Sequence, residues 1–356
     1  MPWGSALASA LIVLLWLTPT RASDAATSFV HKKKYAMGTV FEIVAYDSSP
    51  KRAAAAIDQA FKEIARLDQL LSNSNPDSEL SGLNRAAHFQ PQTVSADLYR
   101  ITEESLEYSR ISGGKFDITV APLVDLWKEA LRSGTRPSIE QQLEARKCIG
   151  YEKIELLYPS QIEFRSSCLR IDVGGIGKGY AIDRAADILR SCGISRALLD
   201  AGGSTIYAMG APRGQPGWLV RLRDPSQRVD PRVMLSENSL STSEQTPPGL
   251  LQNNSAGHII DPATGLPFDS PYAVSVIATT ATASDALSTT LLLVGPSAGK
   301  QIVEKIPGAA ALWVAPTGET ETASSGPEIV VHYELGKSRH SQREFAGGSS
   351  RYRVHP

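Results

Sequence analysis

The sequence predicts a protein of mixed α/β (α+β) class, in which helices and short strands alternate irregularly. The segment 53–71 carries apolar residues at helical spacing, which predicts a helix with one buried face. Short runs such as 39–45 are rich in β-branched and aromatic residues and are typical of strands. Because the two kinds of element are interspersed and no internal repeat is evident, the pattern favours mixed layers of sheet and helix.

Residues that start and stop helices divide the chain further. Gly113 and Gly114 end one helix, and Pro122 can begin the next, because proline in a first turn costs no hydrogen bond. The predicted helices cover 53–71, 96–112, 122 to beyond 127, 139–147, 179–190 after a glycine-rich turn that starts at 174, and 284–294. The predicted strands cover 39–45, 154–157, 161–164, 196–199, 218–222, 233–235, 273–278 and 309–314.

The two ends of the chain differ from the middle. Residues 6–17 are almost wholly apolar, too few to span a bilayer as a stable helix, and small residues follow them. This favours a secretory signal over residues 1–25, with an uncleaved anchor or a buried strand as alternatives. From 334 to 356 the polar composition predicts a disordered tail, which leaves a folded domain over 26–333. We therefore expect an exported, periplasmic protein, free or associated with the inner membrane.

Charge and cysteine content exclude some classes of protein. The 356 residues carry a net charge of -1, so the electrostatic footprint of a nucleic-acid-binding protein is missing. An anionic ligand must instead be held locally, by backbone amides, a lysine or a metal. The three cysteines include no C-x-x-C pair. They allow at most one internal disulfide and leave one thiol, and a structural role is favoured over a catalytic one.

The segment 172–180 is the richest in potential chemistry and reads DVGGIGKGY. Its four glycines let the backbone approach a ligand closely and turn several amides toward one point. The helix that follows directs its N-terminus to the same place, which favours phosphate, and Lys178 adds a positive charge. A tight strand-to-helix turn with a surface lysine explains the same residues and remains an alternative.

Three further segments contain candidate ligands. Asp285 and Thr289 lie four residues apart and so share a helix face, as suits magnesium, although Asp285 could simply cap the first turn. His258, within GHIIDPATG, could accept a proton near neutral pH, but a lone histidine is more often structural. The segment 113–127 combines apolar residues that suit a core with a loop that could contact a ligand.

These four segments occur in order with two more, YAMGT at 35–39 and LSNSNPDSELSGLN at 71–84. Together the six motifs resemble the ApbE family of flavin transferases, over roughly residues 34–314. The resemblance implies an α/β fold with mixed sheets flanked by helices and an FAD cleft between its two halves. It also implies magnesium on the pyrophosphate of FAD, which is the substrate.

The resemblance implies a role for each matching residue. The expected FAD contacts are Met37, Ser74, Lys115, Phe116, Asp117, Asp172, Lys178 and Ile259. The expected magnesium ligands are the backbone carbonyl of Gly175 and the side chains of Asp285, Ser288 and Thr289. The expected catalytic residues are Asp285 and His258, with His258 receiving the acceptor proton. Ser74 stands where the family usually has an aromatic residue and Gly177 where alanine is common, so one stacking contact to FAD is expected to be lost.

The activity implied by the resemblance is the transfer of FMN from FAD to a protein. The FAD pyrophosphate would be cleaved, FMN would be attached by a phosphoester bond to a threonine or serine, and AMP would leave. The expected acceptor is a flavoprotein, either a subunit of a membrane respiratory complex or an exported FMN-binding domain protein. Hydrolysis of FAD to FMN and AMP, and flavin binding without catalysis, remain alternatives. The Asp285 and Thr289 pair argues against simple binding, because storage of FAD needs no metal at the scissile phosphates.

Overall fold

Strands dominate the centre of the protein, whose structure is a computed structural model describing residues 28–224, 229–245, 259–326 and 332–335. In chain order the strands are β1 (Ser28–Ala36), β2 (Thr39–Asp47), β3 (Gln92–Thr93), β4 (Ile154–Leu157), β5 (Gln161–Phe164), β6 (Ala197–Ala201), β7 (Thr205–Met209), β8 (Trp218–Arg221), β9 (Val229–Leu235), β10 (Asn238–Glu244), β11 (Ile260–Asp261), β12 (Leu266–Pro267), β13 (Ala273–Ala278), β14 (Ala310–Val314), β15 (Thr320–Ser324) and β16 (His332–Leu335). Eight of them form one sheet in the order β1-β2-β6-β7-β10-β13-β14-β15. Smaller sheets have the orders β16-β9-β8, β3-β5-β4 and β11-β12.

The helices fall where the sequence predicts them, with two differences. They are α1 (Pro50–Leu71), α2 (Glu79–Ala86), α3 (Ala96–Ile111), α4 (Ala121–Ser133), α5 (Ile139–Cys148), α6 (Gly177–Ser191) and α7 (Ala281–Val303). The short helix α2 was not predicted, and α7 extends beyond the predicted 284–294 at both ends, across a kink at Gly295. The mixed α/β class is confirmed, and the strand pairs among the described residues are all antiparallel.

The edge strand β1 was not predicted, because its sequence SFVHKKKYA is polar and rich in lysine. Lysine on an edge strand disfavours pairing with other chains, so a lysine-rich strand is suited to the edge of a sheet. Nine residues of β1 pair with β2, from Ser28 opposite Asp47 to Ala36 opposite Thr39. The connecting turn consists of Met37 and Gly38, with φ of 48° and 76°, which is the backbone form that two-residue hairpins favour.

The large sheet is covered by different elements on its two faces. On β2, Ile43 packs in one core with apolar residues of α1 and α6, including Ile57. Its neighbour Val44 points to the other face and packs with Trp218 of the β16-β9-β8 sheet. Successive side chains of a strand point to opposite faces of the sheet. Ala281 and Ala286 of α7 belong to the same core as Ile43, so α7 lies on the same side of the sheet as α6. Extensive packing of α6 on α7 then brings the glycine-rich turn next to the Asp285 helix.

The ends of the predicted domain fall partly outside the described residues. Residues 1–27, which hold the predicted signal segment, and the tail beyond 335 lie outside them. Strand β16 pairs with β9 and includes residues 334 and 335, which by composition belong to the predicted tail. A strand this short and polar is stabilised by its ladder partner, which composition does not reveal. Within the described ranges, no helix is both long and apolar enough to cross a membrane.

One disulfide joins Cys148 at the end of α5 to Cys168, 20 residues later, and the thiol of Cys192 is free. This agrees with the predicted limit of one internal disulfide and one remaining thiol. The bond closes the segment that contains β4 and β5 and leads directly into the glycine-rich turn. It therefore ties α5 to the chain just before Asp172.

Removal of this disulfide is expected to lower the free energy of unfolding by about 3 kcal/mol, because an open 20-residue loop gives the unfolded chain more conformational entropy. The measurement is urea unfolding of a Cys148→Ser, Cys168→Ser double variant against the wild type. A Cys192→Ser variant is the matched control and should unfold at the wild-type midpoint. Equal midpoints for the double variant and the wild type would contradict the prediction.

Candidate active site

The glycine-rich turn is shaped by hydrogen bonds within the segment 172–179. The Asp172 side chain accepts from the amide of Gly174 at 2.7 Å, and the Asp172 amide donates to the carbonyl of Ile118 at the same distance. Helix α6 then begins at Gly177 without a side-chain cap. Asp172 thus fixes the turn before the helix, and the N-cap residue Ile176 leaves the first amides of α6 to partners from elsewhere.

Gly175 lies where the turn, the 113–127 segment and α7 meet. A Cβ atom at this position would lie 3.1 Å from Cε2 of Phe116 and 3.8 Å from Cγ2 of Thr289. Met37, at the β1–β2 turn, places its Cε 3.6 Å from where a Cβ of Gly177 would be. The structure therefore gathers three of the predicted flavin and metal contacts around the turn.

Asp285 connects the start of α6 to the sheet. Its Oδ2 accepts from the amide of Gly179 at 2.9 Å, and its Oδ1 accepts from the hydroxyl of Thr205 on β7 at 3.2 Å. The ammonium of Lys178 lies 3.9 Å from the same Oδ1. Only 4% of Asp285 is exposed, so these partners are needed to compensate a nearly buried negative charge.

A row of hydroxyl groups links β10 to α7; we call it the hydroxyl ladder. It consists of Ser239, Ser241 and Ser243 on β10, and Ser284, Ser288 and Thr289 on α7. Successive pairs are joined by oxygen-to-oxygen distances of 2.8 Å (239 to 284), 3.3 Å (288 to 241), 2.8 Å (243 to 288) and 3.3 Å (243 to 289). The ladder satisfies buried polar groups on both elements and sets the rotation of α7, so that Asp285 and Thr289 point the same way.

Two predicted FAD contacts in the 113–127 segment, Lys115 and Asp117, have partners inside the protein. Lys115 pairs with Asp261 at 3.0 Å, which holds the 113–127 loop to the β11–β12 hairpin. Asp117 is buried and accepts from the amides of Thr119 and Tyr151 at 2.8 and 3.0 Å. Burial raises the pKa of Asp117, and its hydrogen bonds with Thr119 and Tyr151 oppose that shift. These contacts give Lys115 and Asp117 a role in shaping the loop that the prediction of direct FAD contacts did not include.

Ile259 is held at the base of the β11–β12 hairpin by the buried side chain of Gln245. The Gln245 amide group donates to the Ile259 carbonyl at 3.1 Å and accepts from its backbone N–H at 3.2 Å. His258, the predicted proton acceptor, precedes Ile259 and lies outside the described residues. Its proposed role remains a prediction from the sequence.

Ser74 is exposed in the loop between α1 and α2, where its hydroxyl lies 3.1 Å from that of Ser72. Ser74 has no described contact with the glycine-rich turn, but its loop is linked to the start of that turn through Asn84. The side-chain amide nitrogen of Asn84, on α2, donates to the Ile171 carbonyl at 3.0 Å, and its oxygen accepts from the Ile171 N–H at 2.8 Å. The same nitrogen donates to the side-chain oxygen of Asn73 at 3.3 Å. The tether brings the loop that carries Ser74 to the residue before Asp172.

Known proteins resemble this chain in sequence and in fold. A family model described as the ApbE family matches residues 37–313. The chain belongs to the ApbE family. A protein named FAD:protein FMN transferase from Klebsiella pneumoniae is 31% identical over 313 residues, which cover 84% of this chain and 88% of the relative. The protein of the same name from Escherichia coli is 28% identical over 321 residues, covering 87% and 91%.

Solved structures show the same relationship for this ApbE-family chain. The flavin transferase ApbE from Vibrio cholerae superposes with a TM-score of 0.74 at 25% identity, and the ApbE protein from Thermotoga maritima with 0.74 at 27%. Each comparison covers 84% of this chain and 98% of the other. The predicted family and fold are confirmed, as is the prediction of an enzyme of the transferase class.

Several residues that build the site were not singled out from the sequence. They are Thr205, Ser241, Ser243, Gln245 and Asn84. The alternating serines of NSLSTSE at 238–244 were a usable signal, because a strand with hydroxyls on one face must meet polar partners if that face is buried. The other residues act through partners far away in the chain, and local patterns do not reveal them.

Proposed function

We propose that this protein is a magnesium-dependent FAD:protein FMN transferase. It would cleave the pyrophosphate of FAD, attach FMN through a phosphoester bond to a threonine or serine of an acceptor flavoprotein, and release AMP. The observation that carries the proposal is the convergence of the glycine-rich turn, Lys178 and the Asp285 face of α7 at one place. Relatives that bear the name of this activity support it.

The residues at this place suit magnesium chemically. The carbonyl of Gly175, the carboxylate of Asp285 and the hydroxyls of Ser288 and Thr289 would hold the ion, and all are oxygen donors, as a hard cation prefers. Among the described residues no group of three or more histidine, cysteine or acidic side chains forms an alternative site. The ion, when bound, would neutralise pyrophosphate charge and make the phosphorus more susceptible to attack.

The chain's own residues would bind and orient the pyrophosphate. The amides of Gly175 and Lys178 would bind its oxygens, because the other amides of the turn already donate to Asp172, Val173 and Asp285. The Lys178 ammonium would stabilise negative charge that develops on these oxygens and on the departing AMP. Because Asp285 is bonded to the Gly179 amide, the metal-binding oxygens and the phosphate-binding amides share one rigid frame. This frame would fix the scissile phosphorus relative to the acceptor hydroxyl.

The transfer step exchanges one phosphoester bond for another. The acceptor oxygen forms a bond to the FMN phosphorus, the bond from that phosphorus to the AMP oxygen breaks, and the hydroxyl proton passes to His258. A histidine suits this role because its ordinary pKa lies near neutral pH. The acceptor we propose is a subunit of a membrane respiratory complex or an exported FMN-binding domain protein.

We also propose that the protein is exported through residues 1–25 to the periplasm. The Cys148–Cys168 bond supports this proposal, because disulfides persist in oxidising compartments and are rare in the cytosol. Fractionation of cells that express the full chain tests it. Recovery in the cytoplasmic fraction, at full length and with both cysteines reduced, would contradict export.

The transferase proposal is tested by incubating the purified protein with FAD and magnesium, with and without an acceptor domain. AMP release and in-gel flavin fluorescence of the acceptor are followed together. A fluorescent acceptor band with equal AMP, lost on chelation, is the expected result. AMP and free FMN without a labelled acceptor would indicate hydrolysis, and FAD binding without any AMP would indicate a flavin-binding protein.

A further inference from the structure

Asp183 of α6 lies outside the residues that we expect to touch FAD or magnesium, yet it accepts three hydrogen bonds from the start of α7. Its Oδ1 accepts from the amide of Ala281 at 2.8 Å, and its Oδ2 accepts from the amide and the hydroxyl of Thr282 at 2.8 and 2.6 Å. The first amides of a helix have no partner within it. Thr280 caps the next amide, that of Ala283, at 3.1 Å. Of the first three amides of α7, the Asp183 carboxylate on α6 therefore accepts from two, and Thr280 accepts from the third.

The Asp183 contact forms a pair with the contact between Gly179 and Asp285. Gly179 and Asp183 are four residues apart on α6, and Ala281 and Asp285 are four residues apart on α7, so each pair occupies one helix face. The earlier residue of α6, Gly179, contacts the later residue of α7, Asp285, and Asp183 contacts Ala281. The two helices therefore run in opposite directions where they touch. The helices are therefore joined at two points about one turn apart.

Two joined points restrict α7 in a way that one cannot. The hydroxyl ladder holds the middle of α7 against β10, and the Gly179 contact holds Asp285 against α6. The contact at Ala281 fixes the first turn of α7 against α6 and so sets the direction of α7 relative to the glycine-rich turn. Since Asp285, Ser288 and Thr289 all lie on α7, their distance from the Gly175 carbonyl depends on both points.

We propose that Asp183 is a positioning residue for the metal site: it anchors the first turn of α7 so that the α7 ligands face the Gly175 carbonyl. The inference rests on the proposed function, because the site it serves is the proposed magnesium site. Asp183 acts through the helix and touches neither metal nor FAD. Its loss should therefore weaken metal binding while leaving the chemistry intact once metal is bound.

The test is an Asp183→Asn variant, which keeps the shape of the side chain but offers one acceptor oxygen where three donors converge. Binding of Mn²⁺, as a probe of the magnesium site, is measured from the electron paramagnetic resonance signal of the free ion in the presence of ADP. We expect about tenfold weaker Mn²⁺ binding, in the range found when a residue that orients a ligand is lost. The magnesium concentration for half-maximal AMP release from FAD should rise by the same factor, and saturating magnesium should restore the rate.

The matched control is Asp187→Asn, the same substitution one turn further along α6. Asp187 is exposed and pairs only with Arg184 and Arg190 of its own helix among its described ion pairs, so its variant should bind Mn²⁺ like the wild type. A folded Asp183→Asn variant with wild-type Mn²⁺ affinity would overturn the inference. A loss of rate that saturating magnesium fails to restore would also overturn it, because a general loss of structure would then explain the effect.

If Asp183→Asn does not fold, the same Mn²⁺ measurement on a Thr282→Val variant tests the inference. This variant removes only the 2.6 Å hydroxyl bond and keeps both amide bonds. We expect about threefold weaker Mn²⁺ binding, and unchanged binding would overturn the inference. The Mn²⁺ measurement also separates the two proposals. Wild-type protein that binds Mn²⁺ but releases no AMP contradicts the proposed function alone, whereas a wild type that binds no Mn²⁺ contradicts both.

Discussion

An Asp285→Asn variant is expected to lose at least about 100-fold in magnesium-dependent release of AMP from FAD, a loss comparable to that of one strong transition-state contact. The substitution removes the one carboxylate among the proposed metal ligands. The fold should survive, because the carboxamide can place its oxygen toward the Gly179 amide and its nitrogen toward the Thr205 hydroxyl. The measurement is AMP release over a magnesium titration, with thermal unfolding followed on the same samples.

The matched control for this prediction is Asp58→Asn. Asp58 is an exposed carboxylate of α1 that pairs with Lys32 at 2.7 Å, far along the chain from the proposed site. Pairs of this kind contribute little to stability, so activity and unfolding should both stay at wild-type values. Full activity of Asp285→Asn with magnesium bound would show that Asp285 is not a ligand.

A Gly179→Ala substitution is expected to destabilise the protein by about 3 kcal/mol, at the upper end of the usual cost of overpacking. In an exposed helix the same change stabilises by up to about 1 kcal/mol, since alanine restricts the unfolded chain. Here an added Cβ would lie 2.2 Å from the Ala281 carbonyl oxygen and 2.8 Å from Cβ of Asp285. Because the clash is with the backbone of α7, the two helices must move apart. This movement separates the Asp285 carboxylate from the glycine-rich turn.

Gly82→Ala in α2 is the matched control. A Cβ added at Gly82 meets no atom within 4 Å, so this variant should be slightly more stable than the wild type. Urea unfolding of both variants gives the two free energies, and FAD cleavage by the Gly179 variant reports the displaced carboxylate. A Gly179→Ala protein with wild-type stability would show that the helices are not packed as closely as the structure has them.

The hydroxyl ladder explains why a buried helix face can carry polar residues without loss of stability. Each hydroxyl of α7 that faces β10 has a partner on that strand, so polar groups removed from water are compensated. The same ladder delivers Ser288 and Thr289 beside Asp285. Structure and proposed chemistry therefore depend on the same side chains at this point.

Local patterns in the sequence determined the elements and the motifs. The apolar spacing of 53–71 predicts α1, because a helix buries residues at that period whatever it packs against. The glycines of 172–180 predict a turn that can approach phosphate, because glycine tolerates backbone forms that other residues avoid. Six motifs in order identified the family, and the comparisons confirm it.

Tertiary structure alone decided how these pieces form a site. The amide of Gly179 and the carboxylate of Asp285 are 106 residues apart, and Asp183 is 98 residues from Ala281. No local spacing encodes such partners, because they depend on the angle at which α6 crosses α7. Lys115 and Asp117 also have partners far along the chain, Asp261 and Tyr151. The sequence determines which side chains are available for chemistry, and the packing of α6 on α7 determines which of them meet.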